Sequence, residues 1–186
     1  MKNLILTLII IVSVIGTTRA QSSKILYEYN KFIDLKGTEF TVATSEHRPK
    51  MGKVRSNLLF INTLTGTIKE IDFVEGSRLS TVQQVKIDSL GINIVLVVAN
   101  TIDLDNKKDI DWDDPRQILV FSPSGNDMQQ LTEDNYYVNV WSINEFTGTL
   151  IVSGFFDINR NRKKDKSESN EILLFDLKTR RLKKKL

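Results

Sequence analysis

The segment richest in chemistry is Asp157-Ile158-Asn159-Arg160-Asn161-Arg162-Lys163-Lys164-Asp165-Lys166-Ser167-Glu168. It sets Asp157, Asn159, Asn161, Asp165 and Glu168 at positions 1, 3, 5, 9 and 12 of a loop. That is the spacing by which a loop wraps oxygen ligands around a calcium ion. Two features oppose this reading. Arg162 stands where the sharp turn of such a loop takes glycine, and Arg160, Lys163, Lys164 and Lys166 crowd positive charge beside the ion. A sister stretch keeps Asp103, Asp105, Asp109, Asp111, Asp113 and Asp114 but carries Lys107 at its fifth position. The competing reading of both stretches is a pair of hydrophilic loops whose Asp and Asn side chains cap turns. Calcium is the one cofactor the residues raise, and none other is expected.

Other constellations point away from catalysis. His47 is the only histidine, it lies between Glu46 and Arg48, and there is no cysteine. A zinc site or a Ser-His-Asp triad therefore has no basis. No spacing singles out a carboxylate pair for glycosidic cleavage. No catalytic residue is assigned, and the chain is expected not to be an enzyme. Trp141, Tyr136, Tyr137, Phe155 and Phe156 read as packing residues, whereas Trp112 falls in the acidic loop, where a ligand contact is open to it. The C-terminal run of Lys178, Arg180, Arg181, Lys183, Lys184 and Lys185 alternates with Leu177, Thr179 and Leu182. It reads as a solvated edge strand whose charges discourage edge pairing. A formal net charge of +3 over 186 residues is too small to argue for nucleic acid.

The N-terminus has the pattern of a signal peptide. Lys2 precedes an apolar run from Leu4 to Ile15, and Thr18 and Ala20 suit the positions before a cut that would leave Gln21 first. The run is shorter than the ~20 residues a bilayer crossing needs. The expectation is residues 1–20 as signal peptide and 21–186 as one domain, secreted or periplasmic, touching a membrane only in transit. Without cysteine, that domain has no disulfide to rely on and must be held by its core.

The elements that would position these loops are short strands. Glu39 to Thr44, Leu58 to Ile61 and Thr67 to Val74 alternate or return across a turn, and Ser45 to Asn57 reads as a polar basic loop. Ser80 to Ile87 and Ile92 to Ala99 follow, the second being the most apolar segment after the N-terminal run. Gln117 to Phe121, Met128 to Thr132, Tyr136 to Ile143, Thr149 to Phe155 and Glu171 to Phe175 complete the set before the basic C-terminus. No segment carries a sustained helical period with caps. The class is all-β.

A repeat organises the strands. Ile33-Asp34 matches Ile87-Asp88, Gly37 matches Gly91, Asp103 matches Asp157, and Asp111 matches Asp165, all 54 residues apart. Ile118-Leu119-Val120-Phe121 matches Ile172-Leu173-Leu174-Phe175 at the same offset. Units of roughly 24–74, 80–132 and 136–186 emerge, each with about four strands. That is the grammar of a β-propeller blade, whose most apolar strands are packed on both faces by neighbouring blades.

Gln130-Leu131-Thr132, Val140-Trp141-Ser142, Gly148, Leu150-Ile151-Val152-Ser153 and Ile172 to Leu177 with Thr179 together resemble the WD40-like repeat of TolB-type propellers. Ile143-Asn144 replaces the usual Pro-Asp, and Arg180 replaces the usual Gly. The resemblance spans most of residues 24–186 and is specific in the last unit. It implies a propeller-like array of about three four-stranded antiparallel blades, open or truncated relative to closed rings. The function expected is that of a non-enzymatic module binding a protein partner, or itself, through an exposed blade face. The alternative is a calcium-stabilised or saccharide-binding propeller fragment accessory to a hydrolytic protein.

Overall fold

A computed structural model describes residues 28–50, 52–106 and 109–186, so the expected signal peptide lies outside the described residues. Among the described residues twelve strands form three four-stranded antiparallel sheets, each a meander in chain order. The first sheet holds β1 (Glu28–Asp34), β2 (Phe40–His47), β3 (Arg55–Asn62) and β4 (Ile68–Asp72). The second holds β5 (Arg78–Ile87), β6 (Ile92–Asn100), β7 (Arg116–Phe121) and β8 (Met128–Gln130). The third holds β9 (Tyr136–Asn144), β10 (Thr149–Phe156), β11 (Asn170–Asp176) and β12 (Arg181–Lys185). We call them blades 1, 2 and 3.

The blades stack through alternation. In β6, Val95, Val97 and Ala99 point into one apolar cluster with Val42, Leu58 and Phe60 of blade 1. Ile94, Leu96 and Val98 of the same strand point into another, with Val138, Leu150, Val152 and Leu173 of blade 3. β7 divides its residues the same way, Leu119 and Phe121 toward blade 1 and Ile118 and Val120 toward blade 3. Period-two side-chain direction thus lets one strand serve two cores, which explains its continuous apolar run. β10 is used differently. Leu150 and Val152 are fully buried against blade 2, while Ile151 is 36% exposed on the other face.

The stretch Ser45 to Asn57, expected as a loop, is strand at both ends: residues 45–47 belong to β2 and residues 55–57 to β3, paired from Ser45–Asn57 to His47–Arg55. Ser45, Ser56 and Asn57 are buried there, and the last two have hydrogen-bond partners. The Ser56 hydroxyl donates to the Ser77 carbonyl at 2.8 Å, and Asn57 Nδ2 donates to Glu70 and Asp72 at 2.5 Å each. Polarity read as a loop was a hydrogen-bonded sheet interior.

Three of the tight turns share one device. Asn62 Oδ1 accepts from the Thr65 N–H, Asn144 Oδ1 from the Thr147 N–H, and Asp176 Oδ1 from the Thr179 N–H. Each is followed by a residue in the left-handed region: Gly66 at φ 73°, Gly148 at 63° and Arg180 at 55°. Arg180 accepts that conformation while pairing with Asp127 of blade 2, and its carbonyl accepts from Gln129 Nε2 at 2.7 Å. The arginine ties two blades where glycine would only turn the chain.

Asp176 is the one charged member of this set. The Thr179 N–H, aided by the Thr179 hydroxyl, the Lys178 N–H and Lys183, holds its carboxyl below the usual range despite burial. A depressed carboxylate adds stability above its unfolded value of about 4, lost as pH falls through the lower folded value. Asp176→Asn, which keeps the cap oxygen but not the charge, is expected to melt below the parent near neutrality. The gap should narrow as pH falls below about 4, because the parent loses acid stability that the variant never had. Equal acid losses in melting scans would refute this account.

Candidate functional site

The three connections between the second and third strands of the blades lie at one end of the array, and the acidic ones share a pair of hydrogen bonds at equivalent positions. In the blade 2 loop, Asp114 accepts from the N–H of Leu104 (3.1 Å) and of Asp111 (2.8 Å). In the blade 3 loop, Glu168 accepts from the N–H of Ile158 (2.9 Å) and of Asp165 (2.9 Å). Each pair of positions differs by 54, so the sequence repeat is a repeat of hydrogen bonds. Asn106 and Arg160, again 54 apart, both take positive φ, at 52° and 57°.

The residues picked for calcium do come together, but their oxygens face donors of the loop itself. Asp157 accepts from the N–H of Asn161 and Arg162, at 3.2 and 2.7 Å. Asn159 Oδ1 accepts from the Asn161 N–H (3.1 Å) and Asn161 Oδ1 from the Lys163 N–H (2.8 Å). The Nδ2 groups of Asn159 and Asn161 both reach Asp165, at 2.6 and 2.9 Å, so nitrogen rather than oxygen is turned toward that carboxylate. Among the described residues no group of three or more His, Cys, Asp or Glu is disposed to hold a metal ion. A carboxylate satisfied by several N–H donors has little to gain from a cation that must first break those bonds. Millimolar calcium is therefore expected to leave the melting temperature unchanged. A binding heat or a rise in melting temperature would overturn that expectation.

Arg162 is the residue whose role the sequence did not disclose. Held at φ 63°, it crosses to blade 2, where Nε lies 3.0 Å from Asp105 and Nη1 3.2 Å from Asp111. The Asp105 side chain is only 6% exposed and that of Arg162 16%, so the pair is sheltered from solvent. Burial works against the guanidinium charge, but Asp105 and Asp111 hold its pKa above the ordinary value. Burial, with Asp114 and Asp105 adding to it, raises Asp103 in spite of the Asn106 N–H. From the other side, Lys53 of blade 1 pairs with Asp109 at 2.6 Å. The acidic loop of blade 2 is clasped by cations from both neighbouring blades.

Tyrosines brace the same end. Tyr137 donates to the Asp113 carbonyl at 3.1 Å and stacks on Phe155, centroids 5.0 Å apart. Burial, with Asp157 and Asp114 nearby, pushes its phenol well above the usual range. Tyr136 is fully buried, donates to the carbonyls of Val152 and Glu171, and is pushed up to about 12 by burial and then by Glu171. Trp112 is 72% exposed, with the Arg78 guanidinium 4.5 Å above its ring.

Two open clefts of about 500 and 490 Å³ run along the first strands of the blades. Lys31 belongs to both; Glu46 and Ser56 line the first, Asp34 and Glu145 the second. Lys31 Nζ is spent in part on the Val82 carbonyl at 3.5 Å.

The remaining feature is the pair of end faces. On blade 1, Phe32 (62% exposed) and Ile68 (58%) stand on the side opposite the core, in registers containing Ala43, Leu59 and Ile61. On blade 3, Val140 (63%), Ile151 and Ile172 (38%) do the same. Among the described residues no apolar cluster joins blade 1 to blade 3.

No protein-family model and no curated protein matches the chain. Solved structures do. The β-propeller domain of the Trilobed protease from Pyrococcus furiosus, described as having an open velcro topology, matches with a TM-score of 0.46 at 10% identity. The match covers 86% of this chain and 42% of that one. Polysaccharide lyase Uly1 matches at 0.40 and 10% identity, over 81% of this chain and 39% of the other. Cobalt-substituted Synechocystis ACO matches at 0.39 and 12% identity, over 86% and 37%. The blade-like array itself rests on the three stacked four-stranded antiparallel sheets of this chain. The chain spans less than half the length of these structures, and at such identities no residue's role carries across from them.

Proposed function

We propose that the chain is an exported, non-enzymatic array of WD40-like, TolB-type blades that binds protein through the free faces of its end blades. The observation that carries this reading is the exposure of Phe32, Ile68, Val140, Ile151 and Ile172 on two sheet faces that lie at opposite ends of the stack. Apolar side chains arrayed on one face of a sheet call for a covering layer, and another sheet is the layer whose pleat they fit. The acidic loops support the same reading. Their carboxylates are engaged by backbone N–H groups and by Arg162, which suits them to holding blades together. Export rests on the pattern of residues 1–20.

The test is site-specific photo-crosslinking in the producing cell. A photoreactive residue at Phe32 or Ile151 of the full chain is expected to capture protein, while one at Phe146, a hairpin tip 92% exposed, is not. Capture at the hairpin tip alone would assign binding elsewhere and remove the reading.

A further inference from the structure

We infer that the layer covering the free faces is a second copy of this chain. Blade 3 of each copy would pack on blade 1 of the other, so that two chains close a six-bladed ring. This rests on the reading that the free faces bind protein, and it names the partner.

The first support is continuity with the contacts already inside the chain. Blade 2 turns Val95, Val97 and Leu119 toward blade 1. The equivalent residues on the free face of blade 1 are Thr41, Ala43 and Leu59, since Thr41 and Ala43 precede Val95 and Val97 by the repeat of 54. Blade 2 turns Ile118 and Val120 toward blade 3, and their equivalents on the free face of blade 3 are Ile172 and Leu174. Blade 3 laid on a blade 1 would therefore repeat, face for face, the contact made between blades 1 and 2 and again between 2 and 3. The side chains these faces offer to a second layer are Phe32 and Ile68 on blade 1 and Val140, Ile151 and Ile172 on blade 3, a set of large apolar groups on each side.

The second support is charge. In the stack the fourth strands are neighbours, as the tie from Arg180 beside β12 to Asp127 and Gln129 at β8 shows. On its free side β4 carries Glu70 and Asp72, and β12 carries Arg181 and Lys184, set by registers Leu59 to Glu70, Asn57 to Asp72, Asp176 to Arg181 and Leu174 to Lys184. Lys183 reaches the same side, its Nζ 3.4 Å from Thr149 Oγ1. The face of blade 1 also holds Arg55, paired with Glu75 at 3.1 Å, and that of blade 3 holds Asp176, spent on its own turn. Blade 3 on blade 1 brings acids against bases. Blade 3 on blade 3 would bring lysine against lysine, and blade 1 on blade 1 carboxylate against carboxylate.

The third support is closure. A head-to-tail contact gives either a ring or an open fibre. Propellers close with about four to eight blades, and two copies of three fall inside that range.

The experiment uses the full chain, purified, in light scattering behind size exclusion and in sedimentation. The expected mass is twice that of the chain. Lys184→Glu and Glu70→Lys should each raise the dimer dissociation constant by at least about tenfold, and the two together in one chain should restore it. Because the chain has no cysteine, Glu70→Cys and Lys184→Cys variants offer a clean second measurement. A mixture of the two should form bis-maleimide-linked dimers, whereas either alone should not. A monomer, a heterogeneous polymer, or linkage within one cysteine variant alone would overturn the ring. A monomer that still captures another protein at Phe32 or Ile151 would overturn the ring and leave the binding faces standing. A monomer that captures nothing there would overturn both.

Discussion

Arg162→Ala is expected to destabilise the fold by about 3 kcal/mol, roughly 6–12 °C in melting temperature for a chain of this size. The reason is what the substitution leaves behind. Asp105 is 6% exposed, and without the guanidinium its charge remains in a sheltered place with a partner removed. Attraction between a pair so placed is weakly screened by salt, so the loss should persist at high ionic strength, unlike that of a surface pair. The Arg162→Ala, Asp105→Asn double variant should recover part of the loss, giving a coupling energy on the order of 1–2 kcal/mol. Arg162→Lys should recover little, because one ammonium cannot reproduce contacts from Nε and Nη1 to two carboxylates. A loss below about 0.5 kcal/mol would make the clasp an ordinary screened pair and remove its part in joining blades.

That residue also marks where the sequence stopped being readable. The strands were legible because their signals are local. The run Ile92 to Ala99 is apolar at every position but Asn93, and β6 does face two cores. The repeat of 54 was legible because the loops of blades 2 and 3 need the same turns, and Asp114 and Glu168 close them alike. In the sequence Arg162 stood only as the residue occupying the place where a calcium loop takes glycine. Its meaning depends on Asp105 and Asp111, more than 50 positions away and adjacent only once the blades stack. Ser56 and Asn57 misled for a related reason, since a polar residue inside a sheet cannot be told from a loop residue until its partners are placed. The free faces were foreseen as a consequence of three units. Which side chains occupy them followed from register, and register is set across strands.

Register also decides the second large effect. Gly154 lies where the pairing of β10 with β9 shifts, between Ser153 and Gly154. A Cβ there would overlap the Tyr137 carbonyl oxygen and stand 2.8 Å from the ring of Tyr136. Neither neighbour can give way cheaply. The Tyr137 carbonyl belongs to the strand itself. The Tyr136 ring is buried, held through its hydroxyl by the carbonyls of Val152 and Glu171, and set edge-on to Phe156 at 4.8 Å. Gly154→Ala is therefore expected to cost about 3 kcal/mol, at the upper end for overpacking. Gly66→Ala is the matched control. It occupies φ 73° with nothing within 4 Å of the added carbon, so its cost should be the left-handed backbone term alone, about 1 kcal/mol. Chemical denaturation of both variants separates the two causes. A Gly154→Ala loss no larger than that of Gly66→Ala would show that β9 can move away, and with it the Tyr136 anchor within blade 3.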